Sequence, residues 1–186
     1  MMRRDVKYLI VAVALIVSAI VLQTVFIARL NLPGAGPDLL ILAVMAIGLT
    51  SSANYGAVAG FITGLLADVV PPDETLLGVT AVVLTLVGFV SGSIRDPRGM
   101  APVQLLAYLF TTTFLAQSLY AISATFLEAR VVEYSEALLT VVAISCYTTG
   151  VGLLILPQLL PAMARLRQDS SRRVSLTDPI SLPESS

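Results

Sequence analysis

The chain has 186 residues, of which 56% are hydrophobic and 12% charged, with a mean hydropathy of +0.90 and a formal net charge of −1. Soluble domains carry about twice that share of charge, so the surplus apolar surface needs lipid as its solvent, and the near-zero net charge excludes a broad electrostatic footprint for nucleic acid. Histidine is absent and Cys146 is the single cysteine, which removes the usual general base, the commonest metal ligand and any intramolecular disulfide.

In chain order, Arg3, Arg4 and Lys7 precede an uncharged stretch, Tyr8–Ala28, long enough to cross a hydrocarbon core of about 30 Å. It is too long for a signal-peptide h-region and no small-residue cleavage site follows, so it reads as a retained anchor. Leu32 to Pro37 is too rich in Pro and Gly for a regular helix. Asp38–Thr50 follows, about 20 Å as a helix, and then Asn54–Val70. This pair reads either as two thin spans or as a re-entrant hairpin. Leu76–Ile94, Val103–Phe126 and Ala137–Leu160 complete six apolar segments. Cys146 lies in the last of them and is expected as a small core hydrophobe. Pro157 marks a kink or the approaching end of that helix.

The fold expected is therefore all-α, a polytopic membrane bundle of about six transmembrane helices over residues 1–165. From Leu166 polar residues take over, and 166–186 is expected as a disordered cytoplasmic tail. With six crossings, every Lys and Arg except Arg29 and Arg130 falls on the side of the two termini. The positive-inside rule then puts both termini in the cytoplasm. Arg165 to Arg173 reads either as ordinary positive-inside residues or as a contact for anionic lipid or an acidic partner.

The most informative local pattern is GAVAGFITGLLAD, which places Gly56, Gly60, Gly64 and Asp68 four residues apart on one helical stripe. Small residues at this spacing let a second helix approach backbone to backbone. Gly88 and Gly92 repeat the spacing on the next segment, so the third and fourth helices are expected in close contact. Gln104, Thr111, Thr112, Thr113, Gln117 and Ser118 lie in the fifth segment. Interhelical hydrogen bonds, about 0.6 kcal/mol each, are the default for such residues, and a polar substrate pocket is the other reading.

Two carboxylates stand apart from the charged loops. Asp38 opens the short second helix, where an acid suits the free N–H groups and the dipole. Asp68 ends the glycine stripe just before Pro71-Pro72, near Arg29, a candidate ion-pair partner. It reads as an interfacial or salt-bridged carboxylate, or as an ion or proton site. Both acids are expected toward the outer face. No metal cluster, phosphate loop or nucleophile elbow occurs, so no catalysis, metal or cofactor is expected.

From Pro37 to Arg95 the chain resembles the MreD family, the rod-shape-determining membrane proteins of bacterial cell-wall elongation. The matching residues are Pro37-Asp38-Leu39-Leu40, Tyr55-Gly56, Gly60-Phe61, Gly64-Leu65-Leu66-Ala67-Asp68, Gly78, Val87-Gly88-Phe89 and Gly92. The resemblance implies a non-enzymatic scaffold in the cytoplasmic membrane that binds MreC, a single-pass protein with an extracytoplasmic coiled coil. It also implies links to the MreB filament and the wall synthases. It places Asp38 and Asp68 at the family's acidic positions. The family is in turn similar in fold to the substrate-binding subunits of energy-coupling-factor vitamin transporters.

Three function classes are thus weighed. A scaffold leads. A vitamin-binding transporter subunit is the alternative, disfavoured because the first helix lacks an Ala-xxx-Ala docking pair, its nearest approach being Ala14 with Ser18. An ion-coupled carrier built on Asp68 would need a second buried ionisable group near the midplane.

Overall fold

Apolar length sorts the helices into two kinds. The computed structural model describes residues 2–25, 36–69, 78–94, 100–127 and 134–174, and all regular structure among them is helical. The long helices are α1 (Met2–Val25), α5 (Pro102–Leu127) and α6 (Tyr134–Val174). Each contains a stretch long and apolar enough to cross a membrane, namely Val6–Val25, Pro102–Ser123 and Glu136–Arg165. Between them in sequence lie α2 (Leu39–Thr50), α3 (Ala53–Val69) and α4 (Val79–Gly92). At 1.5 Å per residue α2 is about 18 Å long and α4 about 21 Å, both short of a hydrocarbon core of about 30 Å.

α2 shows no amphipathic stripe because it has no outer face. Every residue from Ile41 to Leu49 is buried, as expected of a helix that is apolar all round. It touches α1, α3, α4 and α6. Ile41, Val44 and Met45 form the main core with Leu84 of α4, Leu109 of α5 and Leu156 of α6. A smaller cluster joins Ala46 and Ile47 to Ala12 and Ile16 of α1 and Met163 of α6.

The contacts fix alternating helix directions. The Tyr8 hydroxyl shares a hydrogen bond with Thr50 Oγ1 (3.0 Å), whereas Gln23 Oε1 accepts from Leu39 N (2.9 Å), so α1 runs antiparallel to α2. Gly56 packs on Gly88 and Gly64 on Ala81, which makes α3 and α4 antiparallel. α6 runs parallel to α2, since Thr148 meets Asp38 and Gly152 meets Leu42. One end of the bundle thus gathers the start of α1, the Ser51-Ser52 turn, the end of α4 and Arg165. The other gathers the end of α1, the start of α2, the end of α3 and the start of α4.

Large apolar side chains point outward around the bundle, among them Leu9 and Val13 on α1, Phe61 and Leu65 on α3, and Leu139 and Leu154 on α6. That surface suits lipid rather than water. Cys146 belongs to it. The residue is exposed, against the expectation of a core position, because the inward face of α6 is already taken by Ser145, Thr148, Thr149 and Gly152. α6 is also longer than its apolar segment suggested. It continues through Pro157 and Pro161 to Val174, and 175–186 lie outside the described residues. Neighbouring helices re-satisfy the backbone groups that proline frees, which is why such prolines are tolerated in membrane helices.

Candidate functional site

Two features converge on the short helices: a glycine contact and a polar layer. The glycine contact joins α3 to α4 along its length. A methyl group on Gly56 would strike the Gly88 carbonyl, on Gly60 the Leu84 carbonyl, and on Gly64 the Ala81 backbone. Gly92 completes the line against Ser52 and Ala53, whose Cα lies 2.7 Å from its would-be Cβ. Gly56, Gly60, Gly64, Gly88 and Gly92 therefore share one interface, inside the chain. Gly48 of α2 joins them: a methyl there would come 2.6 Å from Ser91 Cβ and 2.9 Å from the Gly88 oxygen. Sequence reasoning passed over Gly48. The available signal was a lone glycine in an apolar helix, which costs about 1 kcal/mol against alanine and so implies a packing reason.

The polar layer is built around Asp38. Its backbone is extended (φ −90°, ψ 97°), so the carboxylate folds over the start of α2 and Oδ1 accepts from Leu40 N and Ile41 N, both at 3.1 Å. Oδ2 accepts from Gln117 Nε2 of α5 at 3.0 Å. Asp38 N donates to Thr148 Oγ1 of α6 at 2.8 Å, and Gln23 of α1 accepts from Leu39 N. Three long helices thus hold the first turn of the central short one. Gln23 and Thr148 were not singled out from the sequence. Each adjoins a threonine in an otherwise apolar run, Gln23 beside Thr24 and Thr148 beside Thr149, a weak signal for one helix that becomes legible only with the fold.

Asp68 does the equivalent for α4. Gly78 precedes that helix with φ 101°, a left-handed conformation natural to glycine. It has no side chain to cap with, and Asp68 Oδ2 accepts its N–H at 2.7 Å. The second oxygen, Oδ1, is buried with no hydrogen-bond partner among the described residues. Tyr120 of α5 stands against Thr80 beside the start of α4. Arg29, the expected partner of Asp68, lies outside the described residues.

The layer meets the long helices at different heights. α5 continues beyond Gln117 to Leu127, about 15 Å, and Thr148 lies about 18 Å along α6 from Glu136, near the middle of that apolar stretch. Asp38 thus stands beside the middle of the α6 stretch but beside the end of α1, where Gln23 lies two residues from Val25.

Other polar residues of α5 divide. Gln117 bonds across to α2. Ser118 Oγ donates to Phe114 O of its own helix (2.8 Å), and Gln104 Oε1 accepts from Ala101 N (3.0 Å) at the helix start. Tyr108, also on α5, donates to Ser91 Oγ of α4 at 2.6 Å. Thr113 and Thr149 are buried, and neither hydroxyl has a partner among the described residues. No protein-family model, curated protein or solved structure matches the chain. The site is therefore read from its own geometry.

Proposed function

We propose that this chain is a non-enzymatic scaffold in the bacterial cytoplasmic membrane, acting in cell-wall elongation as MreD proteins do, with an MreC-like bitopic protein as its direct partner. Wall synthases and an MreB-type filament are reached directly or through that partner. In this reading all six helices lie in the membrane as a six-span bundle with both termini in the cytoplasm. Lys7 and Arg165 then face the anionic inner leaflet.

The observation that carries the reading is that residues shared with the MreD pattern perform one joint task here. Gly56, Gly60, Gly64 and Gly88 fuse α3 to α4, while Asp38 and Asp68 secure the first turns of α2 and α4. The outcome is a rigid block of short helices held by longer ones, suited to presenting a fixed surface.

The test is affinity purification of the tagged chain from its own membranes in mild detergent, with co-purifying proteins identified. A bitopic coiled-coil protein together with wall synthases supports the scaffold. Recovery of an ATPase pair with a membrane coupling subunit overturns it in favour of a vitamin-transport subunit.

A further inference from the structure

The buried oxygens around Asp38 are more numerous than the hydrogen bonds that use them. Three helices place them in one layer. Leu109 of α5 and Leu42 of α2 both lie against Gly152 of α6. One helical turn from that layer, toward the start of α2, are Asp38, Thr113 and the pair Thr148-Thr149. Two hydrogen bonds confirm the register: Asp38 N to Thr148 Oγ1, and Gln117 Nε2, one turn along α5 from Thr113, to Asp38 Oδ2. Thr113 is 0% exposed and Thr149 7%, and neither hydroxyl bonds to anything among the described residues.

Membrane-helix threonines ordinarily satisfy themselves on the carbonyl one turn back, as Thr63 does with Ala59 O at 2.7 Å and Ser145 with Val141 O at 2.7 Å. Thr113 and Thr149 do not. A buried hydroxyl without a partner costs about 1–3 kcal/mol, and such groups in native structures call for a water or ion. Asp38 adds a formal charge beside the middle of the α6 apolar stretch, where an ionised group needs a counter-charge. The described Lys and Arg side chains, Lys7 and Arg165, stand at the opposite end of the bundle.

We propose that this chain binds one sodium ion in the layer formed by Asp38, Thr113, Thr148 and Thr149. The donor set is all oxygen, which suits a hard cation. One carboxylate with neutral hydroxyls balances a single positive charge. A divalent ion draws on more carboxylates or keeps several waters, and among these four residues Asp38 brings one carboxylate. The ion would tie α5 and α6 to the first turn of α2, so that the buried helix is locked only when sodium is bound.

The test is thermal unfolding of the full chain in detergent, titrating sodium chloride against choline chloride at constant ionic strength. A saturable, sodium-specific rise in the unfolding midpoint is expected for the native chain. Thr113→Val and Thr149→Val keep shape and remove one ligand each, so each should need about tenfold more sodium for the same rise. In choline both variants should be as stable as the native chain or more so, because an unpaired hydroxyl has gone. Equilibrium binding of radioactive sodium should give one ion per native chain, and none for Asp38→Asn. Absence of a sodium-specific rise, or valine variants that keep the native sodium requirement, overturns the proposal and leaves the hydroxyls to a trapped water.

Discussion

Substituting Gly60 by alanine tests the α3–α4 contact at one of its tightest points. The added carbon would lie 2.6 Å from the Leu84 carbonyl carbon and 3.0 Å from Thr85 N, and closer still to the Leu84 oxygen. Carbon contacts are comfortable at about 3.5–4.0 Å, and these neighbours are backbone atoms that cannot turn aside, so the helices must part by about 1 Å. Because Gly56 and Gly64 lie on the same line, their contacts with Gly88 and Ala81 loosen with it. Overpacking of this kind costs up to about 3 kcal/mol. Alanine returns about 1 kcal/mol of helix propensity, leaving a net loss of about 2 kcal/mol. For a chain of this size that lowers the thermal midpoint by about 4–8 °C. Gly150 supplies the control. It sits exposed on α6 and its methyl would meet nothing within 4 Å, so Gly150→Ala should leave the midpoint unchanged or raise it. Both variants are read by thermal unfolding in one detergent. A Gly60→Ala chain as stable as Gly150→Ala would refute the backbone-to-backbone contact.

Gln117→Leu leaves Asp38 Oδ2 without its donor and should cost about 1–3 kcal/mol, seen as a lower unfolding midpoint. Gly78→Ala meets no steric obstacle, yet forces an L side chain to φ 101°, so a loss of about 1–2 kcal/mol is expected from the backbone alone. Gly78→Asn, which tolerates that region better, should recover part of it. Cys146, exposed on the apolar surface of α6, should resist a charged maleimide in intact membranes and react once the chain is denatured. Ready labelling in membranes would show that this face meets water.

The glycine interface was legible because its signal is local. Four residues are one helical step, so Gly56, Gly60 and Gly64 announce a stripe before any partner is known. The partner stripe at Gly88 and Gly92 carries the same spacing. Gly48 has no companion in α2 and becomes interpretable only where three helices meet. Six apolar segments were equally plain, since mean hydropathy and Pro/Gly breaks mark them without reference to packing. Cys146 misled because an apolar run in such a protein has two apolar destinations, core and lipid, and composition does not distinguish them. Only the inward crowding of Ser145, Thr148, Thr149 and Gly152 decides it.

The depth of Asp38 shows why a residue's place in its own helix is a poor guide to its place in the bundle. As the first polar residue of an apolar segment, it reads as a rim carboxylate, and a rim carboxylate needs no special partner. That reading assumes that each helix begins at the same level. α2 does not: it is about 18 Å long inside a bundle whose outer helices carry longer apolar stretches, and its first turn opens where α5 and α6 are still apolar on their outer faces. There the free N–H groups of a helix start are met by the Asp38 carboxylate, Gln23 Oε1 and Thr148 Oγ1, and Gln117 in turn donates to that carboxylate. A short buried helix thus creates a demand for polar groups inside the bundle. Once those groups are gathered there, a layer able to hold a cation needs only the two further hydroxyls that Thr113 and Thr149 provide.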